Sequence, residues 1–140
     1  MRIDCETTHS PELVAAVRDG LRRHAEQHVG WNEYADLAMV ARDGNGTLAG
    51  AALGETGRGW LHISMVWVDE RFRRQRLGAR LLEAIEQEAV RRGCRGVYLD
   101  TFSYQARPFY EKFGYEVFGT LDDYPPGHKR FFLCKRLGQA

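Results

Sequence analysis

Val66-Trp67-Val68-Asp69-Glu70-Arg71-Phe72-Arg73-Arg74-Gln75-Arg76-Leu77-Gly78 carries an apolar strand into an arginine-rich turn and from there into an amphipathic helix. That order builds a seat for a polyanion. A turn that opens a helix aims several unpaired backbone N–H groups at one point, and the helix dipole adds roughly half a positive charge there. Phosphates bind well at such a point. The helix runs on through Leu77, Leu81, Leu82, Ile85, Ala89 and Val90, whose spacings of mostly three or four residues set them on one buried face. Gly78 lies in its first turn, where a missing side chain lets phosphates approach the backbone.

The run Arg73-Arg74-Gln75-Arg76-Leu77-Gly78 resembles the cofactor motif of the GNAT superfamily of acyl-CoA-dependent N-acyltransferases, Arg/Gln-x-x-Gly-x-Gly/Ala, with Arg76 in place of the first glycine. If that position needs positive φ, a non-glycine residue there costs about 1–2 kcal/mol. A turn with negative φ accepts arginine freely. A second segment, Ala106-Arg107-Pro108-Phe109-Tyr110-Glu111-Lys112-Phe113-Gly114-Tyr115, resembles the later Ala-x-x-x-Tyr-Glu-Lys-x-Gly-Phe signature of the same superfamily. It is also sensible physically. Pro108 suits the first turn of a helix beginning near Gln105 or Ala106, Gly114 is a natural stop, and Ala106 and Tyr110 share a face.

The remaining chain reads as alternating short elements. Met1 to Glu6 alternates like a strand, and Ser10-Pro11 opens a helix with Leu13, Val14, Val17, Leu21 and Ala25 that ends near Gly30. Tyr34 to Ala41 and Thr47 to Leu53 read as a hairpin about Asp43-Gly44-Asn45-Gly46, followed by a strand over Leu61 to Val68. Gly96 to Asp100 is a short buried strand, and Tyr115 to Leu121 with Lys129 to Lys135 close the sheet. The expected class is α+β, and the resemblance implies a GNAT-type mixed, largely antiparallel sheet, splayed and flanked by helices, in one domain over residues 1–140.

Composition narrows the class further. A formal net charge of +1 offers no global field for nucleic acid or an acidic membrane. No apolar run reaches the length of a membrane span, and no signal peptide is recognisable, so the expected location is cytoplasmic. Cys5, Cys94 and Cys134 are odd in number and lack metal spacing, which suits reduced thiols. His24 and His28 stand at i and i+4 without an evident third ligand, so no metal is expected.

Acyl transfer needs an amine nucleophile, donors for the developing oxyanion and an acid for the departing thiolate. The resemblance implies acetyl-CoA as donor, held by the backbone of Val66, Trp67 and Val68, by the turn Arg73, Arg74, Gln75, Arg76, Leu77, Gly78 and Ala79, and by Ser103, Ala106 and Tyr110. Ser103 stands where the family often has asparagine. Tyr110 is the candidate general acid; handing a phenol proton to a thiolate is uphill by about 2 kcal/mol at ordinary pKa values. His62 is the first candidate for general base, with Glu33 and Asp100 behind it. Trp31, Glu33, Tyr34, Asp100 and His128 are candidates for the acceptor pocket, since aromatic rings beside carboxylates suit a cationic amine. The acceptor is expected to be an amine on a small molecule or a protein, and the resemblance suggests a homodimer.

Two other readings of the arginine turn stand beside this one. A regulatory module that binds acyl-CoA without turnover would keep the turn and be indifferent to Tyr110. A nucleic-acid binder could use Arg71, Arg73, Arg74, Arg76 and Arg80, yet Glu83, Glu86 and Glu88 follow on the same helix. The phosphates of one small cofactor account for the cluster better.

Overall fold

The computed structural model describes residues 1–30 and 34–138. The chain divides into two units, Met1–Glu33 and Tyr34–Ala140. The first holds α1 (Pro11–Glu26), with the Ser10 hydroxyl accepting a hydrogen bond from the Leu13 N–H at 3.1 Å and Pro11 in the first turn. Both starting signals therefore act as the sequence suggests. The expected strand at Met1 to Glu6 is absent: these residues are exposed and join no ladder. Two alternating apolar side chains, Ile3 and Cys5, bury too little to hold a strand that has no hydrogen-bonding neighbour.

The second unit is a six-stranded sheet with two helices. Its elements are β1 (Ala35–Arg42), β2 (Leu48–Gly57), β3 (Trp60–Val68), a 3₁₀ turn (Glu70–Phe72), α2 (Leu77–Arg91), β4 (Gly96–Phe102), α3 (Arg107–Lys112), β5 (Glu116–Asp122) and β6 (Lys129–Arg136). The strand order is β1-β2-β3-β4-β6-β5, antiparallel throughout except for β3 against β4. The mixed, largely antiparallel sheet is thus as expected. The β1–β2 turn is built by Asp43, whose Oδ1 accepts from the N–H groups of Asn45 and Thr47 at 2.8 and 2.9 Å.

One face of the sheet is covered by α2. Leu81, Leu82, Ile85 and Ala89 pack with Leu37, Ala52, Leu61, Ile63, Val97, Leu99 and Leu133, all of them buried. At the helix end, the Arg92 guanidinium donates to the Asp36 carbonyl and the Thr56 hydroxyl, both at 3.1 Å, so the buried threonine is satisfied.

The feature that shapes the functional region is a bulge. Gly54 pairs with Ile63 and Leu53 with Met65, leaving Ser64 without an opposite number. The Ser64 hydroxyl donates to the Leu53 carbonyl at 3.1 Å. A Cβ on Gly54 would strike the His62 carbonyl, so only glycine fits opposite. The extra residue reverses the phase of β3. Leu61 and Ile63 point to the α2 core before it, and Val66 and Val68 do so after it, while Met65 and Trp67 are exposed on the other face. β2 continues to Gly57, past the expected end at Leu53, because Gly54 to Gly57 stay paired with Ile63 to Trp60.

The sheet is also splayed. β3 meets β4 only at Trp60, Leu61 and His62, opposite Gly96, Val97 and Tyr98. Beyond that point β4 stays with β6 while β3 stays with β2, and a wedge opens between them.

Candidate active site

The wedge contains a cavity of about 360 Å³, walled by Ser64, Met65, Val66 and Trp67 on β3 and by Asp100, Thr101, Phe102, Gln105, Ala106 and Tyr110 opposite. The edge of β3 that faces it has no ladder partner from Ile63 onward. Such an edge offers backbone donors and acceptors to an extended ligand in the manner of an added strand. A second cavity, of about 460 Å³, includes Val68, Arg73, Arg74, Arg76, Gly78 and Lys112 in its wall. Neighbouring residues of β3, Val66 and Trp67 in one cavity and Val68 in the other, join the two. On α3, Tyr110 and Phe109 do the same.

The arginine turn is held by its own side chains. Asp69 accepts from the Arg71 N–H at 2.9 Å and from the Arg71 guanidinium at 2.9 and 3.2 Å. These bonds hold the Asp69 carboxyl below the usual range and occupy the charge of Arg71. Arg73 Nε donates back to the Val68 carbonyl at 3.3 Å. Arg74 and Arg76 both have left-handed backbones, with φ of 68° and 58°. Of the two backbones open to Arg76, the chain adopts the strained one, at a cost of about 1–2 kcal/mol.

Arg76 is the N-cap of α2, and no side chain caps the helix there. The N–H groups of the first turn therefore remain available to an anion. A Cβ on Gly78 would come no nearer than 3.5 Å to the Phe109 ring, an ordinary contact. The protein's own packing does not require glycine here, and the open space lies on the cavity side. Uncapped donors, several cationic side chains and this opening together fit a pyrophosphate. Leu77 and Ala79 also line the cavity, and Gln75 lines the adjoining one.

Tyr110 is buried, at 8% exposure, with its ring edge-on to Phe109 and Tyr115. Burial, and after it the charge of Asp100, pushes its phenol above the usual value. It holds its proton at neutral pH, as a donor must. The shift also makes donation harder than the ordinary pKa values imply, unless the accepting thiolate is equally desolvated. Behind Tyr110, the Tyr115 hydroxyl donates to Glu86 at 2.7 Å, and Lys135 pairs with the other Glu86 oxygen at 2.8 Å. Burial chiefly, with Glu86 next, raises the Tyr115 phenol strongly.

Asp100 reaches the wedge from the outer face of β4, but its carboxylate is bound to Arg130 Nε at 2.7 Å. The Arg130 guanidinium lies 5.4, 4.8 and 5.3 Å from the ring centres of Phe102, Tyr124 and Phe132. Ser103 and His128 meet each other at 3.2 Å, and the Ser103 hydroxyl accepts from the Lys129 N–H at 3.0 Å. Both help to build the β5–β6 hairpin junction, and neither lines the wedge. His62 stacks on Tyr98 with ring centres 4.6 Å apart. With Tyr34, Glu55, Arg58 and Trp60 it surrounds a separate pocket of about 170 Å³. Trp31 and Glu33 lie outside the described residues.

The structure thus brings Val66, Trp67, Ala106, Asp100 and Tyr110 together, and sets His62 and Tyr34 apart in the adjoining pocket. Sequence reading missed Met65, Thr101, Phe102, Gln105 and Lys112 as wall residues. Phe102 was open to detection, since it shares a strand face with Asp100. Gln105 was not: its side-chain carbonyl accepts from the Phe102 N–H at 3.0 Å, a turn contact with no signature. Among the described residues no helix is long and apolar enough to cross a membrane.

Comparison with known proteins agrees with this geometry. The model of the acetyltransferase (GNAT) family matches residues 4–115. The acetyltransferase Atu2258 of Agrobacterium fabrum is 34% identical over 126 residues, covering 90% of this chain and 92% of that protein. Blasticidin-S acetyltransferase of Streptomyces morookaense is 39% identical over 105 residues, covering 74% and 75%. The crystal structure of an acetyltransferase from Bacillus cereus superposes with a TM-score of 0.84 at 30% identity, covering 96% of this chain and 98% of that one. Motifs, fold and kinship converge, and the chain belongs to the GNAT family of acetyltransferases.

Proposed function

We propose that the chain moves the acetyl group of acetyl-CoA to a primary amine by direct attack in a ternary complex, with Tyr110 as general acid. The observation that carries this reading is the wedge itself, where the unpaired edge of β3 and the Tyr110 phenol line one cavity, and the next residues along β3 and α3, Val68 and Phe109, line the cavity at the arginine turn. Bound acetyl-CoA supplies an activated thioester. The turn from Arg73 to Ala79 holds its pyrophosphate, and Val66 to Val68 pair with its amides through the backbone. An N–H on that edge polarises the thioester carbonyl, and Tyr110 gives its proton to the leaving sulfur. Ala106 leaves room beside the phenol, while Ser103 serves the cofactor end only through the fold of its turn.

For the base, Asp100 stands in the cavity wall, but its carboxylate is already engaged by Arg130. His62 lies on the same sheet face, where its strand partner Tyr98 is two residues from Asp100. At that remove it acts through water. The outer face, with Tyr34, Asp100 and the His128 hairpin, receives the acceptor. Kinship with a blasticidin-S acetyltransferase favours a small-molecule amine over a protein amine. Three free cysteines suit the reducing cytoplasm, and the family match over residues 4–115 supports taking 1–140 as one domain. The same reading takes the enzyme as a homodimer, which sedimentation would check.

The deciding experiment measures thiol release from acetyl-CoA with a pooled panel of amines, and identifies the product by mass. Amine-dependent release with an acetylated product is expected. CoA binding with no release across small amines, peptides and protein N-termini would remove the transferase reading, and absence of CoA binding would remove the cofactor as well.

A further inference from the structure

Arg76 is, with Arg74, one of two arginines in the phosphate turn that hold a left-handed backbone, and it is the one that opens α2. It holds a left-handed backbone, φ 58° and ψ 23°, that glycine adopts without strain, and it does so at the N-cap of the longest helix of its unit. A position of this kind selects against a long cationic side chain unless that side chain has work to do. Its location suggests the work. Arg76 is in the wall of the phosphate cavity and also of a neighbouring cavity of about 660 Å³, where Arg80, Glu83, Glu86 and Lys135 are the other charged residues.

The charges there are unequal in availability. Lys135 is bound to Glu86, as Arg71 is to Asp69 on the other side of the turn. Arg76 and Arg80 make no ion pair among the described residues. They stand one helical turn apart, joined by the backbone bond from the Arg80 N–H to the Arg76 carbonyl at 3.0 Å. This pair of cations therefore faces a second space adjoining the one that suits a pyrophosphate. In CoA the group one ribose away from the pyrophosphate is the 3′-phosphate, and a cavity of this size is in the range for a nucleotide.

We propose that Arg76, supported by Arg80, binds the 3′-phosphate of CoA, so that this chain discriminates CoA from 3′-dephospho-CoA through a residue placed where strain-free glycine would not serve. The inference rests on the cofactor reading above and adds to it a specificity-determining side chain. Arginine suits the task because its planar fork matches phosphate oxygens.

The test is calorimetric titration of the wild type, Arg76→Gly and Arg76→Asn with CoA and with 3′-dephospho-CoA, alongside thermal melts. Both substitutions accept a left-handed backbone, so the fold survives them. The wild type is expected to prefer CoA by about tenfold to a hundredfold, the range of charged hydrogen bonds. Both variants should lose that preference and bind dephospho-CoA as the wild type does, with Arg76→Gly melting no lower than wild type. Equal binding of the two ligands by the wild type, or equal weakening of both in the variants, would overturn the assignment while leaving the cofactor reading intact. A lower melting temperature for Arg76→Gly would instead mean that the arginine is held for packing. A wild type that binds neither ligand would remove both proposals.

Discussion

The two ends of the wedge treat polar groups in opposite ways. At the arginine turn, the first-turn N–H groups of α2 have no side-chain cap, and Arg76 accepts a strained backbone. On the outer face, polar groups answer one another: Asp100 holds Arg130, and Ser103 holds His128 and the Lys129 N–H. A site for one unvarying cofactor can leave its donors waiting for a ligand that always brings the same phosphates. On the outer face the charge of Asp100 is answered by Arg130, which in turn lies against the rings of Phe102, Tyr124 and Phe132.

The contrast can be broken first at the point where the two ends meet. Tyr110→Phe is expected to lower kcat by about a hundredfold to a thousandfold, within the range for a lost general acid, with CoA affinity changed less than about twofold. Steady-state kinetics with calorimetry would separate the two, and an unchanged kcat would remove the phenol from the mechanism. Next comes the bulge that sets which side chains reach each end. Gly54→Ala forces a Cβ against the His62 carbonyl and should destabilise the fold by about 2–3 kcal/mol, read by urea unfolding.

Smaller effects sharpen the contrast. Tyr115→Phe removes one buried hydrogen bond to Glu86 and leaves the bond to Lys135, so a loss of about 1 kcal/mol and a Tm lower by about 3 °C are expected. The Tyr115 phenol is raised in the fold, so its contribution is present below the ordinary phenol pKa and fades as pH rises above it. The variant should therefore show a shallower loss of stability in the alkaline range. The smallest effect is electrostatic. Asp100 helps to raise the Tyr110 phenol, so Asp100→Asn should move the alkaline limb of kcat to lower pH, by less than about one unit. A limb that moves upward would contradict the placement of that charge.

Legibility followed locality. The Ser10 cap, the Asp43 turn and the apolar stripe of α2 are local patterns, and the chain folds there as its residues suggest. The Met1–Glu6 strand failed because alternation names a strand without supplying a partner. The Ser64 bulge was hidden because an unpaired residue is a property of two strands, and only Gly54, ten residues earlier, bears its trace. Asp100 and Arg130 likewise meet across the β4–β6 ladder, which no pattern within either strand announces. The arginine turn was readable because it is one continuous stretch of sequence. The wedge draws on β3, β4 and α3 at once, and so wall residues such as Met65, Thr101 and Gln105 were not legible in any one stretch.

The phase reversal at Ser64 divides β3 for anyone who would retune the enzyme. Upstream of it the even-numbered His62 faces outward, and downstream the odd-numbered Met65 and Trp67 do. A combinatorial library confined to these three and to Tyr98 and Phe102 would vary the outer face alone. The hydrophobic layer under α2 would stay untouched, and so would the main-chain edge proposed to receive the cofactor, because that edge is independent of the side chains being exchanged.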